Sequence, residues 1–233
     1  LLKRPGLDTL VVVPFNKEFS DQPAEEYIKR FLVDRFHPAL IIIGYDHKFG
    51  NNREGDYLLL EQMGEQYNYV VKEIPQQLIN EVAISSTKIR NALSNGEIET
   101  ANQLLGYPYF FKGNVIEGNK LGRKLGYPTA NLQIQDPDKL VPANGVYAVE
   151  AQIEGETRML KGMMNIGNRP TVDGTRRSIE VHLFDFDEDI YNRHLKVHVR
   201  FHLRNEVKFD GLDKLIEQLH KDKEISISKL ADT

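Results

Sequence analysis

The stretch LKVHVRFHLR (195–204) alternates apolar and polar residues along its whole length. One face of a strand would carry Val197, Val199, Phe201 and Leu203, and the other His198, Arg200, His202 and Arg204. This period of two predicts a β-strand with one buried face, which is typical of antiparallel sheets. The stretch therefore favours a β-barrel or a β-sandwich for the part of the chain that surrounds it.

Similar strand patterns precede this stretch. They are GVYAVEAQI (145–153), TRMLKGMMNIG (157–167) and SIEVHLFDF (178–186). GLDKLIEQLHKDKEI (211–225) follows them and has the period of an amphipathic helix. We expect the inward face of this helix to carry Leu212, Leu215, Ile216 and Leu219. Residues 107–233 are thus predicted to form a β domain closed by a C-terminal helix.

The first part of the chain alternates between strand and helix patterns instead. The predicted strands are DTLVVVPF (8–15) and HPALIIIG (37–44), both expected to be buried, and YVVKEI (69–74). The predicted helices are 20–36, 55–68 and 85–106, with a break at Asn95–Gly96 in the last. Such alternation indicates a parallel sheet covered by helices, so we expect two domains, residues 1–106 and residues 107–233.

Composition excludes several classes of protein. The 233 residues contain no Cys, which excludes disulfides, thiolate metal sites and a cysteine nucleophile, and fits a reducing compartment. Hydrophobic residues make up 40% and charged residues 27%, as in ordinary globular proteins, and no apolar run is long enough to cross a membrane. The net charge is −4 in residues 1–107 and zero in residues 108–233, which argues against a nucleic-acid partner.

The segment GNVIEGNKLGRKLGYPTAN (113–131) is rich in glycine and in cations. Glycines allow a backbone to approach a ligand and offer amide groups to phosphate. The Thr129 hydroxyl and the Asn131 amide oxygen are ligands that suit Mg²⁺. A glycine-rich turn with solvated cations explains the same composition, and the spacing alone does not decide between the two interpretations.

Three further positions allow both a functional and a structural interpretation. Glu180 is either an exposed charge on its strand or a general base facing a pocket. The loop 44–56 follows a predicted strand, where α/β proteins bind ligands, but it is also an ordinary polar loop. The hydroxyls of ISSTKIR (84–90), with Arg90 one turn later, form either a phosphate cradle or a simple helix cap. His194, His198 and His202 are too far apart along a strand to share a metal ion.

Several of these strings together resemble one family. GRKLGYPTAN (122–131), GVYAV (145–149), GMMNIGNRPT (162–171), IEVHLFDF (179–186) and LRNEVKF (203–209) resemble, in order, the signatures of riboflavin kinase. VVVPF (11–15), GYDHKFG (44–50) and ISSTKIR (84–90) resemble the later motifs of the nucleotidyltransferase domain that prokaryotes fuse upstream of this kinase. The chain therefore resembles a bacterial bifunctional riboflavin kinase and FMN adenylyltransferase, or FAD synthetase.

The resemblance implies an α/β Rossmann-like nucleotidyltransferase portion followed by an antiparallel six-stranded β-barrel with a C-terminal helix. It implies a cytoplasmic enzyme whose partners are riboflavin, ATP, Mg²⁺ and FMN, and it leaves the oligomeric state open. Thr129 and Asn131 would hold the metal ion, Glu180 would act as base on the ribityl hydroxyl of riboflavin, and Arg204 would lie near the flavin. The loop over ATP would contain Gly118, Lys120, Gly122, Arg123 and Gly126.

The chain departs from the family pattern in its first domain. The family carries an upstream H-x-G-H motif that binds ATP phosphates during adenylyl transfer, and no such motif occurs in these 233 residues. By resemblance, the other half of that site is present in this chain as Asp46, Ser86, Thr87 and Arg90. We therefore expect this polypeptide to lack the N-terminal part of the adenylyltransferase domain and to phosphorylate riboflavin without making FAD. A catalytically inactive flavin- or nucleotide-binding regulatory module is the alternative.

Overall fold

The structure is a computed structural model that describes residues 6–76, 78–79, 82–171 and 174–231. The chain divides into two compact units, Leu1–Leu78 and Ile79–Thr233. The domain boundary at residue 106 expected from the sequence stays a prediction. The two compact units are defined by contacts in space, whereas the expected boundary is defined by sequence motifs. Each unit is described by itself.

The first unit combines helices with a small parallel sheet. Its elements are α1 (Lys17–Ser20), α2 (Ala24–Glu26), a π-helical segment (Tyr27–Val33), α3 (Asp34–Phe36), β1 (Leu40–Gly44), a 3₁₀ turn (Asn51–Arg53), α4 (Tyr57–Tyr67) and β2 (Val70–Ile74). β1 pairs with β2 in parallel, and the buried core contains Ile28, Ile43, Leu60 and Tyr69. The strand–helix alternation read from the sequence is thus present over residues 24–74.

One predicted strand of this unit is wrong. Residues 8–15 form no strand, and the side chains of Val12 and Phe15 are 81% and 80% exposed. A β-branched run becomes a strand only when a partner strand satisfies its backbone groups, and none pairs with it among the described residues. The strand at Leu40–Gly44 exists, but Leu40 and Ile42 are exposed, so it is not the fully buried strand that was expected.

The second unit is built on a closed β-barrel. Its elements, after β3 (Leu78–Ile79), are β4 (Val82–Ala83), α5 (Ser86–Asn95), α6 (Ile98–Leu105), β5 (Tyr109–Ile116), α7 (Leu121–Lys124), β6 (Ala130–Gln133), β7 (Gly145–Ile153), β8 (Leu160–Thr171), β9 (Gly174–Leu183), β10 (His194–Arg204) and α8 (Leu212–Ala231). The barrel has six antiparallel strands in the order β10-β5-β6-β9-β8-β7, which confirms the predicted antiparallel six-stranded barrel and its C-terminal helix.

Helices α5 and α6 pack against this barrel. Leu93 and Ile98 belong to the same buried cluster as the barrel residue Val199. The Asn102 side chain donates a hydrogen bond to the Val199 carbonyl at 2.9 Å and accepts one from the Tyr109 amide at 2.7 Å. The two helices, which break at Asn95–Gly96 as predicted, are therefore part of the barrel unit.

The alternation along β10 is interrupted. Its pairing with β7 shifts register between Val199 and Phe201 and again between His202 and Arg204. Each shift adds an unpaired residue and changes which face the following side chains take. Phe201 and Leu203 are consequently only half-buried, and the prediction that they continue the face of Val197 and Val199 into the core is wrong.

Helix α8 lies along the outside of the barrel and ends at Ala231. Its residues Asp222, Ser226 and Leu230 are buried, whereas Leu212, which we expected on the inward face, is 56% exposed. Lys161 of β8 donates to the Leu230 carbonyl at 2.5 Å, which ties the end of the helix to the barrel. No helix in the described part of the chain is long and apolar enough to cross a membrane.

Candidate active site

A cavity of about 260 Å³ lies between α8 and the outer face of the barrel, and we call it the helix cavity. Its other walls are the glycine-rich loop that joins β5 to β6 and the segment that joins β10 to α8. Six of the residues singled out from the sequence line it, namely Lys120, Gly122, Thr129, Asn131, Glu180 and Arg204. The structure thus brings most of the predicted kinase residues into one place.

The floor of the helix cavity is a row of polar side chains across three strands. Glu180 on β9 pairs in register with Asn131 on β6 and with Asn165 on β8. The Thr129 hydroxyl donates a hydrogen bond to Glu180 Oε2 at 3.2 Å. A carboxylate that is oriented by a hydroxyl and flanked by two amides can accept a proton from a bound alcohol.

Asn165 is a candidate site residue that the sequence reasoning missed. It lies in the string GMMNIGNRPT, but the strand pattern of β8 alone does not show that its side chain faces Glu180. Aligning the predicted strands β8 and β9 as neighbours in an antiparallel sheet would have placed the two residues opposite each other.

The glycine-rich loop contacts the metal-ligand candidates directly. A Cβ atom on Gly118 would lie 2.5 Å from Asn131 Cγ, so only glycine lets the backbone pass this close to the amide. Gly126 has φ of +82° and turns the chain before the Tyr127–Pro128 pair. Lys120 is exposed and forms an ion pair with Glu117 at 3.3 Å.

Arg204 is held at the edge of the helix cavity by a buried carboxylate. Asp222 of α8 is 1% exposed and accepts hydrogen bonds from Arg204 Nε at 2.9 Å and from Arg204 Nη2 at 2.7 Å. Gln218 donates a further hydrogen bond to Asp222 at 2.8 Å. A paired guanidinium of this kind has a fixed orientation, and its remaining N–H groups can donate to a ligand.

One histidine, His182, lines the aromatic side of the helix cavity, and a second, His220, contacts the lining residue Tyr127. His182 Nδ1 lies 2.8 Å from the carbonyl oxygen of Pro128, and its ring meets the Tyr127 ring edge-on at 5.1 Å. The Tyr127 hydroxyl lies 2.5 Å from Nδ1 of His220 on α8. Burial lowers the pKa of His182 and raises the pKa of Tyr127, so both side chains are uncharged at neutral pH.

A second cavity of about 350 Å³, the loop cavity, adjoins the first. Arg123 and residues 186–191 line it, and Thr129 lines both cavities. Thr129 therefore marks the place where ligands in the two cavities would approach each other.

The candidate adenylyltransferase residues belong to different units. Asp46 is exposed in the loop that follows β1 in the first unit. Ser86 and Thr87 form the first turn of α5 in the second unit, with Arg90 one turn later, and all three are exposed. Ser85 caps this helix by accepting a hydrogen bond from the Lys88 amide at 3.2 Å, so the predicted helix start is confirmed. Their predicted roles in catalysis remain predictions.

Two family models match the chain. A model described as riboflavin kinase matches residues 105–230, and a model described as FAD synthetase matches residues 1–88. A solved structure named as a macrolide-efflux protein from Streptococcus pneumoniae superposes with a TM-score of 0.86 at 33% identity, covering 97% of this chain and 71% of its own.

Curated relatives match over nearly the whole chain. Proteins named bifunctional riboflavin kinase/FMN adenylyltransferase are 38% identical in Haemophilus influenzae and 40% identical in Escherichia coli K12. The Bacillus subtilis protein of the same name is 37% identical. These matches cover 96%, 93% and 97% of this chain, and 71%, 68% and 71% of the respective relatives.

Proposed function

Because the chain belongs to the family of bifunctional riboflavin kinase/FMN adenylyltransferases, we propose that it transfers the terminal phosphoryl group of ATP to the ribityl hydroxyl of riboflavin. The observation that supports this most directly is the contact between Thr129 and Glu180 at 3.2 Å, on the floor of a cavity large enough for an aromatic ligand. Phosphoryl transfer depends on positioning and charge neutralisation, and this arrangement supplies an oriented proton acceptor.

In this proposal riboflavin occupies the helix cavity. Tyr127, Met163 and Phe209 give that cavity apolar walls that suit a planar tricyclic ring. Arg204, held by Asp222, would donate hydrogen bonds to polar atoms of the flavin. The ribityl chain would then extend over Glu180, Asn131 and Asn165, whose side chains can hydrogen-bond its hydroxyls.

ATP is assigned to the loop cavity and to the glycine-rich loop. Arg123 lines this cavity, and Lys120, Gly122 and Gly126 belong to the adjoining loop. Because Thr129 lines both cavities, the terminal phosphate of ATP and the hydroxyl of riboflavin would meet beside it. Exclusion of water from this junction would prevent loss of the phosphoryl group to hydrolysis.

The residues at the junction suit Mg²⁺. Thr129, Asn131 and Glu180 offer hydroxyl, amide and carboxylate oxygens close together, which is the donor chemistry that this ion prefers alongside phosphate oxygens and water. Thr129 and Asn131 would hold the ion, which, when bound, neutralises negative charge on the phosphates. Glu180 would accept the proton that leaves the attacking hydroxyl, and Thr129 would orient that carboxylate.

We assign the kinase domain to residues 107–233 and the adenylyltransferase portion to residues 1–106. Asp46, Ser86, Thr87 and Arg90 would bind FMN or ATP during adenylyl transfer in a protein that also carries the H-x-G-H motif. The 233 residues contain no such motif, so we propose that this polypeptide by itself phosphorylates riboflavin and makes no FAD. A cytoplasmic location and partners limited to small molecules belong to the same proposal.

The test is an assay of the 233-residue polypeptide with riboflavin, ATP and Mg²⁺, in which FMN, FAD and ADP are separated by chromatography. We expect equal amounts of FMN and ADP and no FAD. Binding of riboflavin without formation of FMN would instead support the inactive regulatory module. Formation of FAD and pyrophosphate when FMN is supplied would disprove the restriction to kinase activity.

A further inference from the structure

His182 is a buried polar side chain for which the reaction as described has no use. It lies on β9 two residues beyond Glu180, so both side chains take the same face of the strand, and it is only 7% exposed. Its neighbours are the rings of Tyr127 and Phe184, at 5.1 Å and 5.7 Å between centroids. Burying an imidazole among apolar groups costs free energy unless it forms a hydrogen bond.

His182 forms a hydrogen bond with the Pro-Thr-Ala-Asn motif (128–131), which contains the candidate metal ligands Thr129 and Asn131. Nδ1 lies 2.8 Å from the Pro128 carbonyl oxygen, and a carbonyl oxygen can only accept, so Nδ1 carries the proton. Burial lowers the pKa of His182, and the positive charge of Lys223 acts in the same direction. The neutral ring therefore has a single N–H group, which it donates to Pro128.

Pro128 lies just outside the backbone ladder of the barrel. The pairing of β6 with β9 includes Asn131 opposite Glu180 and ends with Ala130 opposite Val181. No ladder hydrogen bond therefore fixes residues 128 and 129 against β9. The imidazole of His182 replaces the missing ladder contact, since it binds the carbonyl group directly before Thr129.

Two contacts thus join consecutive residues of the motif to the same face of one strand. The backbone of Pro128 is held by His182, and the side chain of Thr129 is held by Glu180 at 3.2 Å. Without the first contact, Thr129 would be held only by the second contact and by the ladder pairing of the next residue, Ala130. An error of about 1 Å in placing such a group can cost up to roughly a hundredfold in rate.

We propose that His182 is a positioning residue for phosphoryl transfer, which fixes Thr129 beside Glu180 by binding the Pro128 carbonyl group. The inference rests on the proposed kinase function and assigns His182 no contact with the transferred phosphoryl group. It also explains why an aromatic wall that would otherwise suit phenylalanine contains a histidine at this position.

The test compares three substitutions that differ in whether and where they place a hydrogen-bond donor. His182→Phe keeps the ring without the donor, His182→Asn places an amide N–H near the position of Nδ1, and His182→Gln places it near Nε2 instead. We expect kcat to fall about tenfold or more in the Phe and Gln variants and to stay within about threefold in the Asn variant. In the Phe variant, the KM for riboflavin should change less than kcat, because its ring fills about the same space as the imidazole.

His202→Phe provides a matched control. His202 is another barrel histidine packed against a tyrosine ring, Tyr147, at 5.1 Å, and it lies outside both cavities. This variant should keep kcat unchanged. If His182→Phe does not fold, the comparison of Asn with Gln remains decisive, because equal kcat values for these two variants would overturn the proposal.

A double-mutant cycle with Thr129→Val tests whether His182 acts through Thr129. In a Thr129→Val background, His182→Phe should cause little further loss, because the group that it positions is already gone. Losses that multiply would overturn the proposal. An unmodified chain that forms no FMN would refute the proposed function itself, whereas an active chain in which His182→Phe has no effect on kcat refutes only the role of His182.

Discussion

The hydroxyl of Thr129 donates to the carboxylate of Glu180 at 3.2 Å, so the candidate metal ligand and the candidate base are one hydrogen-bonded pair. Glu180 lies on β9, Thr129 directly precedes the neighbouring strand β6, and the two residues are 51 positions apart in the chain. In the proposed reaction, Thr129 would orient the base and also border the phosphates in the loop cavity, and so would couple proton removal to phosphate binding. The first prediction concerns the base of this pair.

Glu180→Gln should lower kcat by about a hundredfold or more, because an amide has the same shape but cannot accept the proton of the attacking hydroxyl. Binding of riboflavin should change little, and fluorescence titration measures it independently of turnover. Glu150→Gln is a control in the same barrel, since Glu150 on β7 pairs with Arg200 at 2.6 Å outside both cavities. An unchanged kcat in Glu180→Gln would remove this residue from the role of base.

Asn165→Ala should raise the KM for riboflavin several-fold and leave the KM for ATP nearly unchanged. The reason is that Asn165 lines the helix cavity opposite Glu180, where we propose that the ribityl chain binds, and losing one hydrogen bond to a ligand costs about 1 kcal/mol. Steady-state kinetics with each substrate varied in turn measures both constants. Gln152→Ala, which removes a barrel amide outside that cavity, should alter neither constant.

Asp222→Ala should destabilise the protein by about 3 kcal/mol and weaken riboflavin binding at the same time. The substitution leaves the Arg204 guanidinium, whose side chain is 22% exposed, without its paired carboxylate. Urea unfolding gives the change in the free energy of unfolding, and a riboflavin titration gives the affinity. Glu217→Ala removes an exposed ion pair of the same helix, at 2.6 Å from Lys221, and should leave the free energy of unfolding nearly unchanged.

Stability should fall as the pH drops below about 6.5, the ordinary pKa of histidine. Burial lowers the pKa of His182 in the folded state, so between the two values the unfolded chain binds a proton that the folded chain does not. The slope from this one group is at most about 1.4 kcal/mol per pH unit. Melting curves from pH 7.5 to 5.5 should show a smaller loss for His182→Phe than for the unmodified chain, and parallel losses would contradict this account.

Removing α5 and α6 should destabilise the barrel. A chain that begins at residue 107 loses the buried residues Leu93 and Ile98, each of which contributes roughly 1.5–3 kcal/mol. It also loses the Asn102 side chain, which satisfies the Val199 carbonyl group and the Tyr109 amide. A chain that begins at residue 84 retains all three and is the control. Equal melting temperatures for the two would contradict this prediction.

Four strands of the barrel could be predicted because their information is local. Alternation along stretches such as 145–153 and 195–204 identifies strands from their own residues but leaves a barrel and a sandwich open. The family resemblance implied six strands in a barrel, and the structure confirms that closed sheet. The register shifts of β10 could not be predicted, because a bulge depends on the partner strand. The predicted position of Phe201 on the core face was wrong for that reason. The prediction of a strand at residues 8–15 was wrong for a similar reason. These residues have strand propensity, but no strand pairs with them in the described part of the chain.

The site was only partly readable from the sequence. The residue types alone made Thr129, Asn131 and Glu180 candidates, and the family resemblance then favoured their functional interpretation. The structure places all three in one cavity. Asn165, His182 and Asp222 could not be selected, because each depends on a partner that is distant in the chain. Asp222 in particular looks like one more charge on a polar helix until Arg204 is found against it.

The packing of α5 and α6 has a consequence for exchanging parts between relatives. The string ISSTKIR resembles an adenylyltransferase motif. The helix α5, which contains most of it, nevertheless packs into the hydrophobic core of the barrel. A chimera joined between ISSTKIR and the barrel would take α5 and α6 from one relative and the barrel from another. Their packing surfaces would then not be matched. A workable junction lies upstream of residue 84, so that the adenylyltransferase motif is inherited together with the barrel.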